Sequence, residues 1–224
     1  MSQPVYKRCC DLAGQAMPGC ASISAMTAAK RPPEIAALVL AAGTSARFGT
    51  SKLAVPLNGM PLVQHALLAA RDACPGNVHL VVGHRHANIE AAAGKLFDRK
   101  ILNKDYADGI GTSIAVGVNE CASHFDAILL LLADQVLVSA AHLHAIIRCW
   151  RDSGADIVAS SYRDTRGPPI LFARPTFADL VAMRGDSGAR HVVDSGKFSV
   201  SSVDNPAAGI DIDTPADLDR LARP

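Results

Sequence analysis

Apolar and polar positions alternate in blocks with a regular rhythm from Ile35 onward. "IAALVLAA" (35–42) is an unbroken apolar run, the pattern of a parallel strand covered on both faces. "MPLVQHALLAARDA" follows with helical spacing and Pro61 near its start. "VHLVVG" reads as a second strand, "HANIEAAAGKLF" as a helix and "KILN" as a short strand. "GTSIAVGVNECA" is a helix opening at a glycine turn, and "AILLLLAD" is the most apolar strand in the chain. "SAAHLHAIIRCWRDSG" is a helix that Ser139 is placed to cap. "DIVASSY", "PPILFA", "FSVSSV" and "GIDID" read as later strands, "PTFADLVAMR" and "SGARHVVDS" as helices. "TPADLDRLA" closes the chain as a helix, with Thr214 at the cap, Pro215 in the first turn and Asp217 at capping-box spacing.

Strands alternating with helices predict a three-layer α/β fold, Rossmann-like, with a mainly parallel central sheet. In such sheets a ligand lies beyond the carboxyl ends of the strands, so the residues just after each strand carry the chemistry. Residues 1–34 break the rhythm. They are rich in Ala, Ser, Pro and Gly and end near Arg31-Pro32-Pro33, which reads as a disordered extension ahead of a single domain over 35–224.

Composition narrows the function classes. A chain of 224 residues, about half hydrophobic (49%), suffices for one full core. The formal net charge of +1 gives no reason to expect a nucleic acid or an anionic membrane as partner. No apolar run reaches the ~20 residues that span a bilayer, and no apolar core follows Lys7 and Arg8 to make a secretory signal. The six cysteines form no C-x-x-C pair and read as free thiols of a reducing, cytoplasmic compartment.

The first strand runs into "LVLAAGTSARFGTSK" (38–52). A Walker loop needs G-x-x-x-x-G-K-[ST], but five residues separate Gly43 from Gly49, and Lys52 comes three later. A dinucleotide G-x-G-x-x-G turn is absent as well, which counts against an oxidoreductase. What remains is G-x-S-x-R-x-G-x-x-K. Gly43 and Gly49 allow close backbone approach, and successive N–H groups there cradle phosphate oxygens. Arg47 offers a forked donor and Lys52 a movable point charge. The competing reading is a glycine turn with two solvated cations.

Carboxylates at strand ends favour the phosphate reading. Asp134 ends "AILLLLAD", and Asp211 and Asp213 lie in "GIDID". Two carboxylates from different strands beside a polyphosphate loop suit Mg²⁺, with Mn²⁺ as an alternative. Asp134 and Asp211 are the candidate ligands. The competing reading of Asp134 is a turn residue, and Asp213 fits a cap of the last helix better than a ligand.

At these residues the chain resembles a known family. "LVLAAGTSARFGTSK" is similar to the L-A-A-G-x-S-x-R-x-G-x-x-K motif of MobA/MocA-like nucleotidyltransferases, which act on the molybdenum cofactor. "LLADQVLVS", "GIGTSIAVGV", "RGPPILF", "RGDSGAR" and "DIDTPADL" resemble further blocks of that family, over about Ile35 to Leu221. Ala41-Ala42-Gly43, in place of Ala-Gly-Gly, and "RGDSGAR" resemble the cytidylyltransferase branch. Val136 stands where many relatives have proline, and Pro168 where they often have histidine, which puts in doubt any substrate contact from position 168.

The resemblance implies attack by the terminal phosphate of molybdopterin on the α-phosphate of CTP, with pyrophosphate leaving. It implies nucleotide contacts from Ala41, Ala42, Gly43, Thr44, Ser45, Gly49, Lys52, Gly111, Thr112 and Ser113. Catalytic roles fall to Arg47 on the β- and γ-phosphates, Lys52 at the α-phosphate and Asp134 at the metal. Thr112 and Ser113 either cap a helix or reach cytosine and ribose. Asp186 and Arg190 either order the acceptor side or pair with each other. His84 and His86 read as a solvated loop, and His142 and His144, two apart on a helix, face different ways. Rival functions are a guanylyltransferase for the same cofactor, a sugar-phosphate nucleotidyltransferase, or a non-catalytic nucleotide- and cofactor-binding chaperone for a molybdenum hydroxylase.

Overall fold

The computed structural model describes residues 32–43, 51–83, 86–162, 165–209 and 215–221. Residues 1–31, Thr44, Ser45, Arg47, Gly49, His84, Asp211, Asp213 and the Thr214 cap therefore lie outside the described residues. So does nearly all of the "GIDID" strand. The chain divides into two compact units, Met1–Pro32 and Pro33–Pro224, and every element below belongs to the second.

The strands are β1 (Ile35–Ala41), β2 (Pro56–Leu57), β3 (Met60–Pro61), β4 (Val78–Val82), β5 (Arg99–Leu102), β6 (Ala127–Leu132), β7 (Ile157–Tyr162), β8 (Thr165–Ala173) and β9 (Val200–Asp204). The helices are α1 (Leu62–Ala73), α2 (His86–Ala93), α3 (Ile110–Cys121), α4 (Ala140–Ser153), α5 (Phe177–Val181), α6 (Arg190–Val193) and α7 (Pro215–Leu221). The central sheet has seven strands in the order β5-β4-β1-β6-β8-β7-β9. β1 pairs parallel with β4 and β6, β4 with β5, and β7 with β9. β8 pairs antiparallel with both β6 and β7. The expected mainly parallel sheet is present, with β8 as its one reversed strand.

Alternate residues of each buried strand serve opposite faces, which is why β1 and β6 are apolar throughout. Ala37, Val39, Leu80, Leu129 and Val158 pack with Val63 and Leu67 of α1, Ile89 of α2 and Leu143 and Ile146 of α4. Leu38, Leu40, Val81, Leu130 and Ile157 pack on the other face with Ile114 and Val118 of α3, Phe177 and Leu180 of α5 and Val192 of α6. These two cores flank the sheet and make three layers. Ser139 caps α4 as the sequence predicts, its Oγ accepting from the His142 N–H at 3.3 Å.

Two features differ from the sequence expectation. β2 and β3 form a small antiparallel hairpin that the hydrophobic pattern does not announce. Asn58 and Gly59 turn it with φ of 52° and 81°, the left-handed pair that a two-residue hairpin loop requires. The helices over 175–184 and 187–195 are shorter than the pattern suggests: α5 has 5 residues and α6 has 4. A third, small apolar cluster joins Leu57 and Leu62 to Val136, and Leu218 and Leu221 of α7 pack against it. The C-terminal helix thus seats on the hairpin and on the residues that follow β6.

Candidate active site

The site is built at the carboxyl ends of β1 and β6. Leu40 is in register with Leu132, and the Ala133 N–H donates to the Leu40 carbonyl at 3.1 Å. Asp134 therefore emerges level with Ala42, where the glycine-rich segment begins. Ala41 and Ala42 are buried and Gly43 is exposed, with nothing within 4 Å of where a Cβ would stand.

The far end of that segment returns to the same place. Lys52 opens a short 3-10 turn over Lys52–Ala54. Its Nζ stands 3.0 Å from Oδ2 of Asp134, with side-chain exposures of 9% and 28%. A lysine is rarely that buried without a partner, so the carboxylate and the ammonium explain each other's position. Ala42 and Lys52, on either side of residues 44–50, are thus both brought to Asp134, one by strand register and the other by an ion pair.

The residues that follow Asp134 are anchored as well. Gln135 is 2% exposed, and its Nε2 donates to the Pro168 carbonyl of β8 at 3.1 Å. Val136 is buried in the small cluster with Leu57 and Leu62. The valine thus fills an apolar seat. Pro168, the position in doubt as a substrate contact, offers its backbone carbonyl to Gln135.

The start of α3 lies beyond the ends of β4 and β5. Asn103, which follows β5 and is 3% exposed, donates from Nδ2 to Thr112 Oγ1 and to Ser113 Oγ, each at 2.9 Å. Its Oδ1 accepts from the Asp105 N–H at 3.0 Å. Thr112 Oγ1 in turn lies 2.9 Å from the Asp105 carbonyl and 2.8 Å from that of Gly109. Both hydroxyls are thereby engaged within the protein. The Gly111 N–H donates to the Gly185 carbonyl at 2.9 Å. Gly109 has φ of 107°, and a Cβ there would lie 2.3 Å from the backbone carbon of Gly185. The "RGDSGAR" block is thus docked on the start of α3. Arg190 pairs with Asp194 at 3.2 Å, the residue that follows α6, and not with Asp186. Asn103 escaped the sequence reading, because a lone asparagine after a strand looks like a turn residue.

The remaining polar residues sort by burial. His142 is buried, and its Nε2 lies 2.8 Å from Ser160 Oγ. His144 is exposed and meets Asp72 at 2.7 Å, so the two histidines do face different ways. Burial pushes the His142 imidazole below its ordinary range, against the opposing pull of Asp204. His79 is lowered by burial, with Arg99 adding to the effect. Burial also pushes the Cys74 and Cys121 thiols up to about 12, so neither is a nucleophile near neutral pH. Among the described residues there is no group of three or more His, Cys, Asp or Glu side chains that would hold a metal by themselves. A hard divalent ion needs only one or two carboxylates when phosphate and water oxygens complete its shell, so Asp134 at the strand end fits such an ion. No helix among the described residues is long and apolar enough to cross a membrane.

This geometry can be set beside known proteins. The chain is 32% identical over 204 residues to the purine catabolism protein PucB of Bacillus subtilis (strain 168), covering 86% of this chain and 98% of that protein. The crystal structure of Rv0371c from Mycobacterium tuberculosis H37Rv superposes with a TM-score of 0.72 at 30% identity, covering 84% of this chain and 98% of that one. A structure of the same protein in complex with manganese gives a TM-score of 0.70 at 28% identity, with the same coverage. Residues 37–200 match the model of the MobA-like NTP transferase domain, a stretch that holds most of β1, the glycine-rich segment, Lys52, Asp134 and the start of α3. The family match spans more than half of the chain and the relative is covered almost in full: the chain belongs to the MobA-like NTP transferase domain family, and is a nucleotidyltransferase of that family.

Proposed function

We propose that the protein transfers CMP from CTP to the terminal phosphate of a molybdopterin-type acceptor and releases pyrophosphate. The observation that carries this reading is the 3.0 Å contact of Lys52 with Asp134 at the end of β6, level with Ala42. It supports a reading in which one cation and one carboxylate serve the α-phosphate of a triphosphate bound by residues 43–49.

An acceptor phosphate oxygen attacks the α-phosphorus and forms a new P–O bond. The bond from the α-phosphorus to the bridging oxygen of the β-phosphate breaks, and pyrophosphate leaves with the electron pair. A phosphate monoester is largely ionised near neutral pH, so no general base is required. Catalysis reduces to positioning and electrostatic stabilisation. Arg47 and the backbone amides of residues 43–49 grip the β- and γ-phosphates. Lys52, a compact ammonium on a flexible stem, moves between Asp134 and the α-phosphoryl oxygens. Ala41 and Ala42 form the wall under the triphosphate. Gly111, Thr112 and Ser113, tied to Gly185 and Asn103, give the nucleotide side a fixed backbone surface. Asp134, with Asp211 as its second carboxylate, would hold Mg²⁺ or Mn²⁺, which would neutralise phosphate charge. The manganese complex of Rv0371c supports a divalent ion.

Ala41-Ala42-Gly43 and "RGDSGAR" favour cytidine over guanosine by their resemblance to the cytidylyltransferase branch. PucB is a purine catabolism protein, which supports a molybdenum hydroxylase as the enzyme that receives the product. The buried free thiols suit a cytoplasmic setting. Pyrophosphate release measured with molybdopterin acceptor across CTP, GTP and ATP tests the proposal. CTP should be fastest. Fastest release with GTP would indicate the guanylyltransferase alternative, and CTP binding without pyrophosphate release would indicate a chaperone.

A further inference from the structure

β7 and β8 fall out of step beside the site. Ala159 is in register with Ile170 but Ser160 with Gly167, so Pro168 and Pro169 sit at a break in the ladder. Neither proline has an N–H to give, yet both carbonyls are claimed by side chains. Gln135 Nε2 donates to the Pro168 carbonyl at 3.1 Å, and the Ser160 hydroxyl donates to the Pro169 carbonyl at 2.8 Å. With its one proton spent on Pro169, Ser160 Oγ accepts from His142 Nε2–H at 2.8 Å. Gln135, His142 and Ser160 are all buried. The two ends of the segment joining β6 to α4 are therefore fastened to successive carbonyls of one bulge. Gln135 is at one end, beside Asp134, and His142 is at the other, in the first turn of α4.

We propose that Gln135 and the His142–Ser160 pair are positioning residues for Asp134. By holding the Pro168 and Pro169 carbonyls they fix the loop, and through it the aim of the Asp134 carboxylate at Lys52 and at an incoming triphosphate. This inference rests on the reading of Asp134 as a carboxylate of the transfer site. The lysine holds Asp134 from the β1 side, and the bulge holds its loop from the β8 side. The bulge keeps the loop in place when Lys52 turns to the α-phosphoryl oxygens, and small displacements of reacting groups are costly in rate.

The test uses the full chain and two readouts. Gln135→Met keeps the volume and removes the donor. His142→Leu removes the donor, and His142→Gln restores an amide donor. The Ala133, Gln135 and Val138 amides bond to the Leu40, Leu132 and Gln135 carbonyls, so hydrogen exchange over residues 133–139 reports on the loop without nucleotide. Gln135→Met and His142→Leu should speed that exchange by about tenfold, the worth of one net hydrogen bond. They should also lower kcat by about tenfold with KM for CTP nearly unchanged, while His142→Gln recovers most of both. Exchange at the wild-type rate would overturn the proposal. So would a lowered melting temperature accompanied by wild-type kcat below that temperature. If the unmodified chain transferred no nucleotide, the function assigned to Asp134 would fail, and the exchange arm would still decide whether these residues hold the loop.

Discussion

Lys52 and Asp134 meet at 3.0 Å across 82 residues of chain, one entering from the segment after β1 and the other from the end of β6. The lysine is nearly buried and the aspartate about a quarter exposed, so removing one partner leaves the other charge poorly compensated. Asp134→Asn and Lys52→Met should each keep the fold, with unchanged circular dichroism. Each should lower stability by roughly 1–2 kcal/mol, or about 2–8 °C in melting temperature for a domain of this size. The double variant should lose clearly less than the sum of the two. Strict additivity would mean that the pair does not interact. Asp134→Asn should also reduce pyrophosphate release by orders of magnitude, as should excess chelator acting on the unmodified protein.

Arg47 and Lys52 should act at different stages. A grip on the non-reacting phosphates is felt equally by ground and transition states, so Arg47→Ala should mainly raise KM for CTP. Charge shifts at the α-phosphate only as pyrophosphate leaves, so Lys52→Ala should mainly lower kcat. The cost should be roughly 2.7–4 kcal/mol if it behaves as other donors to a developing oxyanion do. Equal rises in KM that vanish at high salt would show instead that both cations only attract an anionic ligand.

Glycine positions separate packing from ligand contact. Gly109 combines φ of 107° with backbone atoms of Gly185 and Asp186 inside 3 Å of any Cβ. Gly109→Ala should therefore destabilise by roughly 2–4 kcal/mol, from left-handed strain and overpacking together. Gly43 has open space at its Cβ. Gly43→Ala should leave stability within about 0.5 kcal/mol, while weakening CTP binding if backbone approach to phosphate is what that glycine serves. Chemical denaturation and nucleotide titration of both variants check the pair of claims.

Acid should act through two buried histidines. His79 and His142 are both held below their ordinary range by burial, so the unfolded chain binds protons more readily than the folded one. Their contribution is whole above the unfolded value of about 6.5 and is lost as pH falls through the lower folded values. Urea midpoints should drop between pH 7.5 and 5.5. A His79→Gln, His142→Gln double variant should show a flatter profile. A midpoint that rises toward pH 5.5 would contradict the direction of both shifts.

Some of this was readable in the chain and some was not, for physical reasons. β1 and β6 announced themselves because a strand buried on both faces is apolar at every position. α4 announced itself by its period and by Ser139. β8 was visible as an apolar run, but "PPILFA" carries no mark of direction, and its reversal is set by pairing with β6 and β7. The hairpin of β2 and β3 has two residues per strand, too few to show alternation, so only Asn58-Gly59 betrayed it. Lys52 and Asp134 could each be picked out by chemistry and position, but their contact depends on the register of β1 with β6. Asn103 and Gln135 are buried amides whose work is to hold hydroxyls and carbonyls contributed by other elements, and no local pattern encodes that.

The central claim is that the convergence of Lys52 and Asp134 marks a centre for cytidylyl transfer. The most direct measurement follows label from the α-phosphate of CTP in the presence of molybdopterin and a divalent ion. Label should pass into the acceptor with one pyrophosphate released per transfer, faster than with GTP or ATP, and Asp134→Asn should stop it. Label that stays in CTP, or passes as readily from every triphosphate, would contradict the claim.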